Sequence, residues 1–178
     1  MNIYVIQVRA GREGKFIDTA NEMTRTTLSF RFHWPRRELT IRKKGVFRDT
    51  ISAIFPGYVF LEARAVTAEL LKTLKKVPGF IRFLRSNQEI LPLSDRDLEL
   101  IKRFLEAGEI VRKSLVSFTA HQHIQIVDGP LKGLEGMIVK VDKRKKRIKV
   151  RLELYEDSFL IDFGFEAVEK YTEPGGKE

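Results

Sequence analysis

At 178 residues, 43% of them apolar and 32% charged, the chain has the composition of a folded protein of one ordinary domain or two small ones, not of a disordered one. With no cysteine, disulfides, thiolate catalysis and thiolate metal sites are excluded; with neither a signal-like segment nor a long apolar run, a cytoplasmic protein with no membrane partner is expected. A net charge of +9 and a pI of about 9.8 point to an acidic partner, nucleic acid ahead of an acidic protein surface.

In chain order, IYVIQVRAG (3–11) is apolar and β-rich, ends at Gly11 and predicts a first strand. KFIDTANEMTRTTL (15–28) places Phe16, Ile17, Ala20, Met23, Thr24 and Leu28 at helical spacing. RFHWPRRELTIRKKG, broken by Pro35 and offered a turn by Gly45, predicts one or two strands around a basic exposed loop. AIFPGYVFLEARA (53–65) turns at Pro56-Gly57 and continues as a buried strand. TAELLKTLKKVPG (67–79) is bounded as a helix by Thr67 and Pro78-Gly79, and FIRFLRS (80–86) is another strand. SDRDLELIKRFLEAG (94–108) is the clearest helix, with Ser94 as N-cap, Asp95 and Asp97 in the first turn and Gly108 beyond its end. These elements predict an α/β sandwich with one antiparallel sheet over 1–107, followed by a linker over 108–118.

Beyond the linker helical patterning stops. HIQIVDGPLKG, LEGMIVKVDK, the alternation of 147–154, SFLIDFGF and AVEKY predict a small β-barrel over 119–172, and EPGGKE (173–178) reads as a disordered tail. The fold class is thus α+β. Residues 1–107 carry a net +8, from 20 Lys/Arg against 12 Asp/Glu, while residues 119–171 carry only +1. That second part is polarised, because residues 143–151 hold seven positive charges and the acids lie mostly after them. In that run Ile148, Val150, Leu152 and Leu154 alternate with Arg147, Lys149 and Arg151, the pattern of a half-buried strand and not of a basic tail.

Catalysis finds no support. The acid pairs Asp95/Asp97 and Glu156/Asp157 suit a helix N-terminus and a strand turn, and neither has a nucleophile or base partner nearby. His121 and His123 share a predicted strand face but lack a third metal ligand, and no phosphate-cradling glycine loop is present. No catalytic residue, metal or cofactor is expected.

DGPLKGLEG (128–136) is the most specific stretch: Gly129-Pro130 and Gly133 force a tight turn, and Gly136 allows close approach at the next strand. IQIVDGPLKGLEGMIVKVD resembles the KOW motif, which opens a five-stranded SH3-like barrel. IYVIQVRAGREGKF, FPGYVFLE, VPGFIRFLRS and LPLSDRDLELI occur in the order and spacing of the NusG N-terminal (NGN) domain. Over about 170 residues the arrangement of NGN domain, linker and KOW domain resembles the bacterial NusG family.

The resemblance implies a monomeric, non-enzymatic factor that rides on elongating RNA polymerase. It implies that Tyr4, Phe55, Tyr58 and Phe60, with Phe80 and Phe83 nearby, form a concavity for the clamp helices of the polymerase large subunit. It implies that Arg36, Arg37, Arg42, Lys43, Lys44 and Arg48 face upstream DNA. Where the general factor has a Phe-Gly-Arg-like turn for ribosomal protein S10 and for Rho, this chain reads Tyr155-Glu156-Asp157, which argues against those contacts. That departure and the basic run suit a specialised antiterminator of the LoaP type, which reads a leader RNA hairpin. Lys143, Arg144, Lys145, Lys146, Arg147, Lys149 and Arg151, with Lys132 and Lys140, are the expected RNA contacts.

Overall fold

Buried apolar faces from distant stretches of chain assemble two compact units. The computed structural model describes residues 1–24, 30–84, 89–119, 121, 123–155 and 157–168. The predicted end of the first helix, the end of FIRFLRS, Glu156, most of AVEKY and the tail lie outside these. Met1–Pro35 and Ala53–Glu109 make the first unit; Arg36–Ser52 and the chain from Ile110 onward make the second.

The first unit holds strands β1 (Asn2–Val8) and β2 (Phe30–His33) and helix α1 (Glu13–Met23). The strand order of its sheet is β2-β5-β1-β6, where β5 is Tyr58–Ala63 and β6 is Phe80–Phe83. Both helices expected later in this unit form. Thr67 Oγ1 accepts the Leu70 N–H at the start of α2 (Ala68–Leu74). Ser94 Oγ accepts the Asp97 N–H at the start of α3 (Asp95–Glu106). Each cap satisfies one of the donors that a helix start leaves unpaired. One face of the sheet packs Tyr4, Ile6, Val8, Val59, Leu61 and Phe83 against Phe16 and Ala20 of α1 and Leu70 and Leu74 of α2. Burying each large side chain there contributes about 1.5–3 kcal/mol. The Pro56-Gly57 turn is held by Glu13, whose buried carboxylate accepts the Gly57 N–H at 2.7 Å.

One sheet was expected here, but the basic stretch 36–53 forms a separate hairpin. Its strands are β3 (Arg36–Lys43) and β4 (Val46–Ala53), joined by Lys44 and Gly45 at φ +52° and +82°, the two-residue turn that matches strand twist. Ile54 N–H donates to Pro35 O at 3.0 Å, joining the two residues that flank the hairpin stretch. β3 pairs in parallel with β7 (Ile110–Val111), giving a three-stranded sheet β4-β3-β7. The predicted linker 108–118 therefore carries secondary structure: β7, and then β8 (Ser114–Phe118). Both are short, and their apolar residues are too few to declare a period.

The rest of the second unit is the expected small five-stranded barrel, a curled half-barrel of order β10-β11-β12-β8-β9. Its further strands are β9 (Ile124–Asp128), β10 (Ile138–Asp142), β11 (Arg147–Leu154) and β12 (Asp157–Ala167). Ile148, Val150, Leu152 and Leu154 all point inward and are fully buried, as the alternation of β11 requires. Of the turn glycines, Gly129 approaches its neighbours most closely: a Cβ there would lie 2.8 Å from Ser114 Cα. Gly136 does not play the close-approach role expected of it. It sits in a single 3-10 turn (Glu135–Met137) with nothing within 4 Å of a Cβ. His121 and His123 precede β9 and do not share a strand face. No helix among the described residues is long and apolar enough to cross a membrane.

Candidate nucleic-acid interface

The basic run is presented by a turn whose shape the backbone fixes. Between β10 and β11 the Asp142 carboxylate accepts the Lys145 N–H at 2.9 Å, and Lys146 takes φ +52° to bring the chain into β11. Lys143, Arg144, Lys145 and Lys146 are exposed, as are Lys132, Lys140 and Arg151. Lys143 Nζ lies 4.0 Å from the centre of the Phe118 ring, a cation–π contact that steadies the near side of the turn. The Lys145 N–H bond, helped by the charges of Lys145, Arg144 and Lys140, holds the Asp142 carboxyl below the ordinary carboxylate value of 3.8. A depressed carboxyl contributes its stabilisation in full above its unfolded value and loses it as pH falls through the folded one. The protection factor of the Lys145 amide, its exchange relative to an unfolded peptide at the same pH, is therefore expected to hold at neutral pH and to fall only as the pH drops below the ordinary carboxylate value, which NMR at stepped pH would read.

Two of the expected RNA contacts are already committed within the protein. Cross-strand register sets Lys149 opposite Asp162, and Lys149 Nζ reaches Asp162 Oδ1 at 3.1 Å while Arg147 Nη1 lies 3.6 Å from Oδ2. Both cations are half-buried. Arg37 completes the cluster: its Nε–H donates to the Asp162 backbone carbonyl, and its guanidinium lies 5.9 Å from the Phe163 ring centre. Burial lowers the Arg37 pKa to about 10; Asp162 opposes that shift and Arg147 adds to it. Arg37, expected to face DNA, is thus turned onto β12.

The other hairpin cations divide. Arg36 is half-buried, whereas Arg42, Lys43, Lys44 and Arg48 are exposed. Asp49 pins the hairpin by accepting from Thr40 Oγ1 at 2.8 Å and pairing with Lys113 Nζ at 2.6 Å. The Lys113 bond is the largest cause holding the Asp49 carboxyl below its ordinary value. Arg147 Nη2 also reaches Thr40 O at 3.5 Å, and Gly164 of β12 lets Glu38 O come within 2.8 Å of where a Cβ would be. Between hairpin and turn lies a cleft of 440 Å³ lined by Thr40, Ile41, Arg42, Phe47, Arg144, Lys145 and Arg147. Phe47 had drawn no notice in the sequence. Its signal was an aromatic within a charged hairpin, and in the structure 56% of it is exposed.

The six aromatics expected to form one docking concavity lie on two faces of the first sheet. Tyr4 and Phe83 belong to the core under α1 and α2, and Phe80 packs against that core. Phe60, opposite Val5 in the register, and Tyr58, opposite Gln7, point to the other side, where the Phe55 ring meets Phe60 edge-on at 5.8 Å. Phe55 and Phe60 are buried and Tyr58 is half-exposed. The polar pairs His33–Glu62 at 2.8 Å and Arg82–Gln7 at 2.9 Å accompany Tyr58. At the end of β11, Tyr155 takes φ +51° where the expected family turn has glycine next to it.

Residues 1–102 match the family described as transcription termination factor nusG, and residues 122–151 match the KOW motif. The transcription termination/antitermination protein NusG of Buchnera aphidicola is 28% identical over 174 residues, spanning 94% of each chain. The protein of the same name from Escherichia coli K12 is 26% identical over the same length and coverage. The solved structure of Thermotoga maritima NusG aligns with a TM-score of 0.61 at 22% identity, over 92% of this chain and 93% of that one, a likeness of fold.

Proposed function

Because the chain belongs to the NusG family of non-enzymatic transcription elongation and antitermination factors, we propose that it is a processive antiterminator of the LoaP type, whose first unit holds elongating RNA polymerase in the cytoplasm while its basic turn holds structured nascent RNA. The observation that carries the RNA part is the exposure of Lys143, Arg144, Lys145 and Lys146 on a turn fixed by Asp142 and Lys146 backbone geometry. Such a surface meets phosphates without first ordering a flexible tail, and reads duplex RNA by shape and backbone. On the first unit, the face of β5 that presents Tyr58 beside the polar pairs has the aromatic-plus-polar character of a protein-binding surface, and the clamp helices are its proposed partner. Holding the polymerase in one of two states requires only differential binding to them, with no bond made or broken.

A salt series tests the RNA part. With Arg147 and Lys149 held by Asp162, the remaining cations neutralise about four phosphates, so log affinity of the whole protein for an RNA hairpin is expected to fall with log salt at a slope of about −3. A slope near zero, or equal binding of duplex DNA, would sink the RNA role.

A second reading, the general elongation factor, is favoured by the match along nearly the whole length of NusG proteins from several bacteria. Robust binding to ribosomal protein S10 would select it; the Tyr155 turn predicts that this binding is lost.

A further inference from the structure

We infer that the cleft between the β3–β4 hairpin and the β10–β11 turn is a binding site for one unpaired nucleotide of RNA, with the base stacked on Phe47 and its flanking phosphates on Arg144 and Lys145. The inference rests on the RNA reading above and specifies which part of the RNA is gripped.

Three features converge. The first is the exposure of a large aromatic in β4, flanked by exposed Val46 and Ile51 and by the charged Arg48 and Asp49, where nothing in the core requires it. The second is the position of Arg42, whose guanidinium carbon lies 5.6 Å from the Phe47 ring centre. The guanidinium covers one side of the ring, so a base laid on the other would complete a cation–ring–base stack. Every base has a π-face, which makes such a platform tolerant of sequence. The third is size and charge. The 440 Å³ cleft falls within the range of about 300–1,000 Å³ usual for small-ligand sites, and its walls bring Arg144, Lys145 and Arg147 together. Arg147 also joins the walls through Thr40 O, and its Nε is buried with no hydrogen-bond partner among the described residues. A fully paired helix cannot present a base face to Phe47, whereas a loop or bulge can.

The arrangement gives the two contributing segments different tasks. The turn supplies charge, which any RNA backbone satisfies. The hairpin supplies a flat apolar surface, which only an unstacked base satisfies. The protein would therefore prefer a hairpin with a loose loop over its own stem.

The test compares the full chain with its Phe47→Ala and its Arg144→Glu/Lys145→Glu variants on two probes: an RNA hairpin with a wide loop containing 2-aminopurine, and the blunt RNA duplex of the same stem. Phe47→Ala is expected to weaken loop binding about tenfold, to leave duplex binding within about twofold, and to abolish the 2-aminopurine quenching seen with the wild type. The charge-reversed protein is expected to lose both probes. If Phe47→Ala binds and quenches as the wild type does while charge reversal still abolishes binding, the nucleotide site falls and the basic turn stands as the RNA contact. If charge reversal leaves binding intact, the RNA reading falls and the nucleotide site with it. A third probe, a DNA hairpin of the same sequence, checks the sugar: equal binding and quenching with it would overturn the assignment to RNA. Because Phe47 is exposed, its removal leaves the core untouched.

Discussion

Gly129→Ala is expected to destabilise the second unit by about 4 kcal/mol, from two additive causes. The backbone at Gly129 has φ +106°, a conformation that costs an alanine about 1–3 kcal/mol. The new Cβ also lands 2.8 Å from Ser114 Cα and 3.1 Å from its Oγ, in a place where no flexible chain can yield. Overpacking of this kind costs about 1–3 kcal/mol more. Ser114 is fully buried and its Oγ accepts the Leu131 N–H at 3.2 Å, so pushing it away unsettles the strand and the turn together. Gly136→Ala is the matched control, since its Cβ meets nothing, and it should shift stability by no more than about 0.5 kcal/mol. Urea unfolding followed by a probe on the half-barrel separates the two.

Asp162→Asn should lower stability and strengthen RNA binding at once. The carboxylate is the shared partner of Lys149 and Arg147, and Arg37 is bound to the same residue's backbone. Without its charge, these cations repel one another in a half-buried setting. Partial exposure keeps the loss near 2 kcal/mol, below the 3–5 kcal/mol of a fully buried pair. The two side chains released are then available to phosphates, and each adds about 0.7–0.9 to the steepness of the salt dependence. The slope should therefore steepen by about 1.5. A variant that loses stability with an unchanged slope would show that Arg147 and Lys149 belong to the fold alone.

Elements with their own local signals were legible in the sequence. Ser94 and Thr67 announce α3 and α2 because a cap is a contact within four residues. The alternation of β11 survives because one of its faces is buried and the other wet. Alternation was a poorer guide in β1 and β5, whose sheet buries both faces: Tyr58 and Phe60 share a side, yet only Tyr58 keeps any exposure. Membership of the hairpin in the second unit had no local signal at all. Arg37 finds its partner 125 positions away, and nothing in RRELTIRKKG says that this arginine will turn inward onto β12 while Arg42, Lys43 and Lys44 stay exposed. Charge counting cannot separate Arg147 and Lys149, which pair with Asp162, from Arg144 and Lys145 until the strand beside them is known.

The second unit is assembled from two stretches separated by most of the first, and this sets an order of events during synthesis. Residues 1–35 and 53–109 can leave the ribosome and close their sheet before most of the strands of the hairpin's own unit have been made. The hairpin's anchors arrive late: β7 and Lys113 first, and Asp162 and Gly164 only as the last strand emerges. The hairpin therefore waits on the chain's final strand to seat Arg37, while Val46, Phe47 and Ile51 stay exposed even in the finished fold.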